Sequence, residues 1–349
     1  MKNISKLAGI LLTYCVLAGL SAYAQPSAPT ATQQAQNFQN NMEMQKPFLT
    51  LYPGTNAPET YQGENADIGE QHILRLLPRS TLFMVSLDSE YLYTDNALLT
   101  TANPVSSTEF VNTLVAAFAP TPFRMGPGRF APEFGYTGQW FDYGLGGNSK
   151  LSGATPPTPI DSIDFNVQSA FGGAKYYLPD NWILYGQVNY NWYFQQNSTA
   201  SSPSGRMFYR ELVPDLEVER LIQVTHRAVL GLTAAGDWHE SWQINDPHDL
   251  QNRADGLLSV FLTYQVTPKL IVQPYYRFQY SYYPKDSSGG PVRQDLLNSF
   301  GGSVTWFFTP NLSFRVFAND DIEHVRSDSF APDYHDWNVG ADLAYVFRF

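Results

Sequence analysis

Asp237, His239 and Ser241 occupy alternate positions of one short stretch and carry side chains that hydrolytic chemistry uses. An imidazole beside a carboxylate can take a proton from water, and one beside a hydroxyl can generate a nucleophile. Residues i and i+2 of a strand share a face, so in a strand all three point the same way. Other charges follow the same spacing: Asp88 and Glu90, the ladder Asp215, Glu217 and Glu219, and later Arg277, Arg315, Asp342 and Arg348. Facing arrays of acids and arginines would set up a transverse field suited to a solute pore. A salt-bridged, filled interior would use the same residues differently. A further acidic stretch, Asp320, Asp321, Glu323, Asp328, Asp333 and Asp336, offers oxygen ligands of the Ca²⁺ or Mg²⁺ type. Its spacing follows no EF-hand pattern, and a solvated loop accounts for it equally.

The elements that position these groups are strands. Trp182, Leu184, Val188, Tyr190, Trp192 and Phe194 alternate with Gln187, Asn189, Asn191 and Gln195. Val272, Tyr276, Phe278, Tyr280 and Tyr282 alternate with Gln273, Arg277, Gln279 and Ser281, and Phe300, Val304, Trp306 and Phe308 with Ser299, Gly301, Ser303 and Thr305. Leu312, Phe314 and Val316 oppose Ser313, Arg315 and Asn319, and Ile163, Phe165, Val167 and Phe171 oppose Asp164, Asn166, Gln168 and Gly172. Short turns at Leu178-Pro179-Asp180-Asn181, Thr267-Pro268-Lys269 and Thr309-Pro310-Asn311 separate such runs. Longer polar connections lie near 146–161, 196–206, 241–253, 285–293 and 327–334. Short connections on one side and long ones on the other predict an all-β, antiparallel, up-and-down transmembrane barrel. The strands are expected at 81–94, 108–120, 130–145, 162–177, 182–195, 207–221, 227–240, 254–266, 269–283, 295–308, 311–325 and 336–349. The second is the weakest, since Glu109 to Ala117 could also be a helix. The even count of about twelve puts both termini in the periplasm. A Lys or Arg facing lipid at midplane would cost about 2–4 kcal/mol. Asp88, Glu90, Asp215, Glu217, Glu219, Arg277 and Arg315 are therefore assigned to the lumen, where Tyr185, Tyr193, Phe261 and Phe317 narrow it.

The last strand sets Leu343, Tyr345, Phe347 and Phe349 on one face and Asp342, Ala344, Val346 and Arg348 on the other. It resembles the C-terminal signal of Gram-negative outer-membrane β-barrels, in which a final Phe and alternating apolar residues are read by the barrel-insertion machinery. Tyr93-Thr94-Asp95-Asn96-Ala97-Leu98 resembles the Tyr-x-Asp-Asn-apolar stretch of bacterial barrel porins, including those found with polysaccharide-export systems, but lacks the Gly that usually precedes it. Asp237-x-His239 is similar to the water-activating pair of omptin proteases, and His239-x-Ser241 to the His-x-Ser of the outer-membrane phospholipase. The first needs a second acidic pair across the rim, for which no candidate stands out. The second faces lipid beside an Asn, whereas this one should face the lumen. A solvated rim histidine is the plainer reading, and no enzyme activity, catalytic residue, metal or cofactor is expected.

Residues 1–24 read as a cleaved signal peptide, with Lys2 and Lys6 before an apolar core and Ala22-Tyr23-Ala24 at the cleavage site. The only cysteine, Cys15, lies in that segment, so the mature chain has no thiol chemistry. Without Lys2 and Lys6 the 21 basic residues fall to 19 against 32 acidic ones, and the net charge of about −13 disfavours nucleic acid. Aromatic residues make up 15 % of the chain without any later long apolar run, the composition a membrane barrel with aromatic girdles requires. Residues 25–79, polar at first and rich in Gly and Pro later, are expected to form a flexible periplasmic segment before the barrel at 80–349, with an N-terminal extension beneath or inside the barrel as the alternative for 47–78. A lumen plug from this segment would favour a non-conducting barrel. Two functions remain open. One is passive diffusion of small hydrophilic solutes through an outer-membrane porin-like channel. The other is a non-conducting barrel that binds a partner, with ties to polysaccharide export. Outer-membrane lipid and lipopolysaccharide are the expected surroundings in either case.

Overall fold

The computed structural model describes residues 31, 33–36, 82–99, 104–144, 160–197, 204–243, 251–284, 292–326 and 333–349. The signal-peptide segment, Cys15, Asp328 and most of the long connections lie outside these residues.

Thirteen strands follow one another: β1 (Phe83–Thr94), β2 (Ser107–Phe118), β3 (Phe123–Met125), β4 (Gly128–Tyr143), β5 (Phe165–Tyr177), β6 (Trp182–Gln195), β7 (Met207–Thr225), β8 (Ala228–Gln243), β9 (Arg253–Thr267), β10 (Leu270–Tyr283), β11 (Arg293–Phe307), β12 (Leu312–Arg326) and β13 (Tyr334–Arg348). Each pairs antiparallel with the next, except that β2 passes over the short β3 to pair with β4, and β13 returns to β1, so the wall closes on itself. β2 and β3 pair with successive stretches of β4 and form one stave broken at Pro120 and Pro122, where a ladder donor is missing. The result is a closed barrel of twelve staves. Strand 107–118, which the sequence left between strand and helix, is a strand.

Local chemistry fixes the short turns. Asp180 and Asn181 both adopt φ 60°, the left-handed conformation that Asp and Asn tolerate in tight hairpins. At three other turns a threonine hydroxyl accepts a backbone N–H two residues on: Thr225 from Arg227 at 3.2 Å, Thr267 from Lys269 at 3.3 Å and Thr309 from Asn311 at 3.2 Å. These turns share one end of the barrel with Phe83 and Phe349, whose main chains meet where Phe349 N donates to Phe83 O at 2.9 Å.

The outer face is apolar and aromatic. Leu87, Tyr91, Phe134, Val188, Leu216, Leu258, Phe300, Val304, Trp306, Phe314 and Leu343 are all exposed on it. Phe347, Tyr345 and Phe349 share that face on β13, as the terminal pattern requires. Near the short-turn end Arg220 lies 5.0 Å from the Trp182 ring, and near the long-loop end Arg210 lies 5.5 Å from the Trp242 ring. Such cation–aromatic pairs suit the water–lipid boundaries. A closed antiparallel barrel with this exterior has the architecture of an outer-membrane β-barrel.

One strand departs from the expected phase. Phe165 and Val167 of β5 are fully buried and face inward, with Phe165 stacked on Phe141 at 4.5 Å, while Asn166 and Gln168 take the outer face. The reason is an apolar cluster inside the long-loop end of the barrel, comprising Leu92, Val111, Phe141, Ile160, Ile163, Tyr193 and Phe317 among others. Apolar side chains therefore do not all face lipid here.

Candidate functional site

The inner wall carries rows of polar side chains set by strand register. Glu90, Asp342 and Arg315 lie side by side on β1, β13 and β12. Arg315 Nη2 is 3.3 Å from Glu90 Oε2 and also bonds Asp342 Oδ2. Asp88 shares this face of β1. On the next strands Arg277 Nη2 donates to Ser299 Oγ at 3.0 Å, and Ser299 Oγ in turn bonds Asp321. Arg277 is completely buried. Asp215, Glu217 and Glu219 form the inward ladder of β7, and Lys175 of β5 lies 5.0 Å from the Tyr185 ring on the neighbouring strand. By strand alternation Asp88, Glu90, Asp215, Glu217, Glu219, Arg277 and Arg315 lie on the strand faces opposite the exposed apolar and aromatic ones. Arg315, however, is joined to Asp342 on the adjacent stave and to Glu90 on the stave beyond it, rather than set as one array facing another across the bore.

Aromatic side chains that point inward lie over glycines of the next strand. A Cβ on Gly231 would sit 2.1 Å from the Phe261 ring, one on Gly301 2.4 Å from Tyr275, and one on Gly340 2.5 Å from Phe317. These are directly opposed pairs. A ring laid flat over a glycine covers backbone that would otherwise lack a side chain.

Residues 31 and 33–36 form a helical turn inside the long-loop end of the lumen. Ala31 and Ala35 are fully buried in the apolar cluster. Gln33 Nε2 donates to Glu323 Oε2 of β12 at 2.5 Å, and Gln34 Nε2 bonds the Ala97 carbonyl of the β1–β2 connection. Gln36 Nε2 donates to Asp255 Oδ2 of β9 at 2.8 Å, while its own oxygen accepts from Arg253. The expectation of a flexible periplasmic segment over 25–79 therefore fails for these five residues. Alanines supply the little apolar surface the cluster needs, and the amides satisfy lumen charges, so a composition too polar for an ordinary core is suited to this one.

The Asp95-Asn96-Ala97 stretch turns inward to meet this helical turn. Thr94 Oγ1 donates to Asp336 Oδ1 at 2.6 Å, Asn96 N to the same oxygen at 3.2 Å, and Asn96 Nδ2 to His335 O at 3.0 Å. Trp337 N donates to Asp95 Oδ1 at 2.7 Å, pinning the connection to β13. The acidic stretch 320–336 is divided by strand alternation instead of forming one loop. Asp321, Glu323 and Asp336 are buried inward, while Asp320 faces outward and lies 2.5 Å from His335 Nε2.

Below Gln36 lies the densest polar cluster. Glu211 of β7 accepts from Asn191 Nδ2 at 2.9 Å, Tyr193 OH at 2.8 Å and Tyr209 OH at 3.1 Å. Its Oε2 is 2.9 Å from His239 Nδ1. His239 Nε2 lies 3.2 Å from Asp237 Oδ1 and 3.3 Å from Asp255 Oδ2, and Arg253 Nε bonds the latter oxygen at 2.9 Å. His239 is only 4 % exposed, so it is not the solvated rim residue the sequence suggested. Ser241 is also buried, and its hydroxyl donates to Asn252 Oδ1 at 2.7 Å instead of His239. Glu211, Arg253, Asp255 and Gln36 were missed in the sequence. Glu211 shares the spacing of Asp215, Glu217 and Glu219, and Arg253 and Asp255 are two apart at a strand start, so the alternation that found the ladder also points to them.

On the loop side, Asp164 ties three segments together. Its Oδ1 accepts Tyr143 N at 2.8 Å and its Oδ2 accepts Asn197 Nδ2 at 2.8 Å. Burial pushes its carboxyl up to about 7, against the lowering effect of the Tyr143 N–H.

No family model matches the chain, and no curated protein does either. Among solved structures, the β-domain of the Bordetella autotransporter BrkA is 13 % identical over 76 % of this chain and 100 % of its own, with a TM-score of 0.44. The transport unit of the autotransporter AIDA-I from Escherichia coli is 10 % identical over 78 % of this chain and 92 % of its own, with a TM-score of 0.45. The KdgM porin, solved with disordered oligogalacturonate, is 11 % identical over 75 % of this chain and 99 % of its own, with a TM-score of 0.35.

Proposed function

We propose that the protein is an outer-membrane channel for small hydrophilic solutes that its own N-terminal segment holds closed at the extracellular end. The signal peptide read at residues 1–24 and the terminal pattern ending at Phe349 supply its route to that membrane. The observation that carries the reading is the three-point attachment of Gln33, Gln34 and Gln36 to β12, the β1–β2 connection and β9. Those anchors lie on well-separated staves, so the helical turn spans the bore and does not lie along one wall. A polar lumen wall, with Asp215, Glu217 and Glu219 on one side and Arg277 and Arg315 on the other staves, supports passage once the segment is displaced.

A non-conducting barrel that binds a partner is favoured by one specific feature, the neutralisation of Arg315 by Glu90 and Asp342. Planar-bilayer recording of the mature chain and of a chain lacking residues 31–36 separates the two. The channel reading expects rare openings in the former and frequent discrete openings in the latter, with ion selectivity altered by Glu217→Gln and Arg277→Gln. Absence of discrete openings in the shortened chain would establish the second reading.

A further inference from the structure

We propose that Asp237, His239 and Asp255 form a binding site for a divalent transition ion of the zinc type, with Glu211 orienting the histidine. Asp237 and His239 are two apart on β8, so they share the inward face, and Asp255 stands directly opposite Asp237 on β9. One potential ligand atom from each lies within 4.8 Å of the others. The two measured edges are tighter: His239 Nε2 is 3.2 Å from Asp237 Oδ1 and 3.3 Å from Asp255 Oδ2. A tetrahedral ion with bonds of about 2.0–2.1 Å sets its ligand atoms about 3.3–3.4 Å apart. Those two edges therefore match coordination spacing.

Glu211 fixes which imidazole nitrogen is available. Its two oxygens take Asn191, Tyr193, Tyr209 and His239 Nδ1. With Nδ1–H committed to that carboxylate, Nε2 of the neutral ring presents its lone pair to Asp237 and Asp255. A carboxylate behind a ligating histidine is the usual outer partner of a metal-bound imidazole.

A further observation points to a cation at this spot: Asp255 is 6 % exposed, and its Oδ1 is buried without a well-formed hydrogen bond. His239 Nε2 is within reach of both carboxylate oxygens, the place that a proton on the ring or a metal ion on the neutral ring would take, and Arg253 Nη2 beside it, at 3.3 Å, has Gln36 as its acceptor. Charge balance agrees. Glu211, Asp237 and Asp255 against Arg253 leave −2 with a neutral ring and −1 with a protonated one, whereas a divalent ion on the neutral ring brings the group to zero. The mixed nitrogen and oxygen donor set suits zinc better than the all-oxygen shells of Ca²⁺ or Mg²⁺. Arg253 is the competing cation. It keeps its Nε bond to Asp255 and yields only the Nη2 approach to the ring. Gln36 covers the open side, 3.5 Å from His239 Nε2.

The test is equilibrium dialysis of the full mature chain in detergent against Zn²⁺ after chelator treatment, with bound metal counted by elemental analysis. The expected result is one zinc per barrel, lost in His239→Ala and Asp255→Asn, retained in His335→Ala, and weakened 10–100-fold in Glu211→Gln. Heat-modifiable gel mobility shows whether each variant is a closed barrel. If His239→Ala does not fold, Asp237→Asn, whose side chain is 24 % exposed, replaces it. Cobalt in place of zinc should give visible absorption that disappears in the same variants. No stoichiometric zinc in the native chain, or undiminished zinc in the folded His239 or Asp237 variant, would overturn the proposal.

Discussion

Gln36 Nε2 donates to Asp255 Oδ2 at 2.8 Å, across 219 positions of sequence, and so joins a residue that precedes every strand to the ninth of them. Gln33 makes the equivalent bond to Glu323 on β12. Hydrogen bonds to charged groups contribute about 1.5–3 kcal/mol each. Replacing both glutamines by alanine should raise the open probability of the channel by about a hundredfold or more, read as opening frequency in planar bilayers. Alanine preserves helix propensity, so the effect reports the lost amide contacts.

Arg315 is the keystone of a buried row. Removing it leaves Glu90 and Asp342 without their guanidinium, and breaking a buried pair costs about 3–5 kcal/mol. Arg315→Gln should lower the urea midpoint of folding in lipid vesicles accordingly. The double variant with Asp342→Asn should recover part of the loss, and full additivity would show that the two side chains act independently.

The phase of β7 has a direct assay. Leu216 is 64 % exposed, the most exposed leucine on the outer face. Leu216→Arg should destabilise the barrel in lipid by about 2–4 kcal/mol if it lies near midplane. Arg at the adjacent inward position, Asp215, should cost less, because the lumen is polar. Equal costs at the two positions would contradict the assigned faces.

Asp164 gives stability a pH dependence. Its carboxyl titrates at about 7 in the folded barrel and near the ordinary carboxylate value when unfolded. The folded state then holds more protons than the unfolded state between those values, so this group's contribution falls as pH rises from about 4 to about 7. Asp164→Asn should flatten that part of the stability curve and keep the bond to Tyr143 N, because an amide oxygen still accepts.

Most of the barrel was legible because lipid outside and polar groups inside impose a period of two. The turns at Asp180-Asn181 and at Thr309-Pro310-Asn311 were visible for the same local reasons that form them. Sequence reasoning failed at Phe165 and Val167, where apolar residues face the lumen. They join an apolar cluster with Phe141 and with Ala31 and Ala35, the latter far away in sequence and in a stretch whose composition reads as disordered. The burial of His239 was not legible because Gln36, which covers it, comes from a segment 203 positions away. Alternation specifies a face, but burial depends on what else occupies the bore.

The seam between β1 and β13 has a consequence for the order of events. The main chain of Phe349 pairs with Leu82 and Phe83, so the first strand obtains its second neighbour only from the last. At about 5–20 residues per second, the ribosome needs roughly tens of seconds to make everything between them. β1 can therefore be paired on both sides only once β13 has been made, and closing the seam joins the ends of a very long loop.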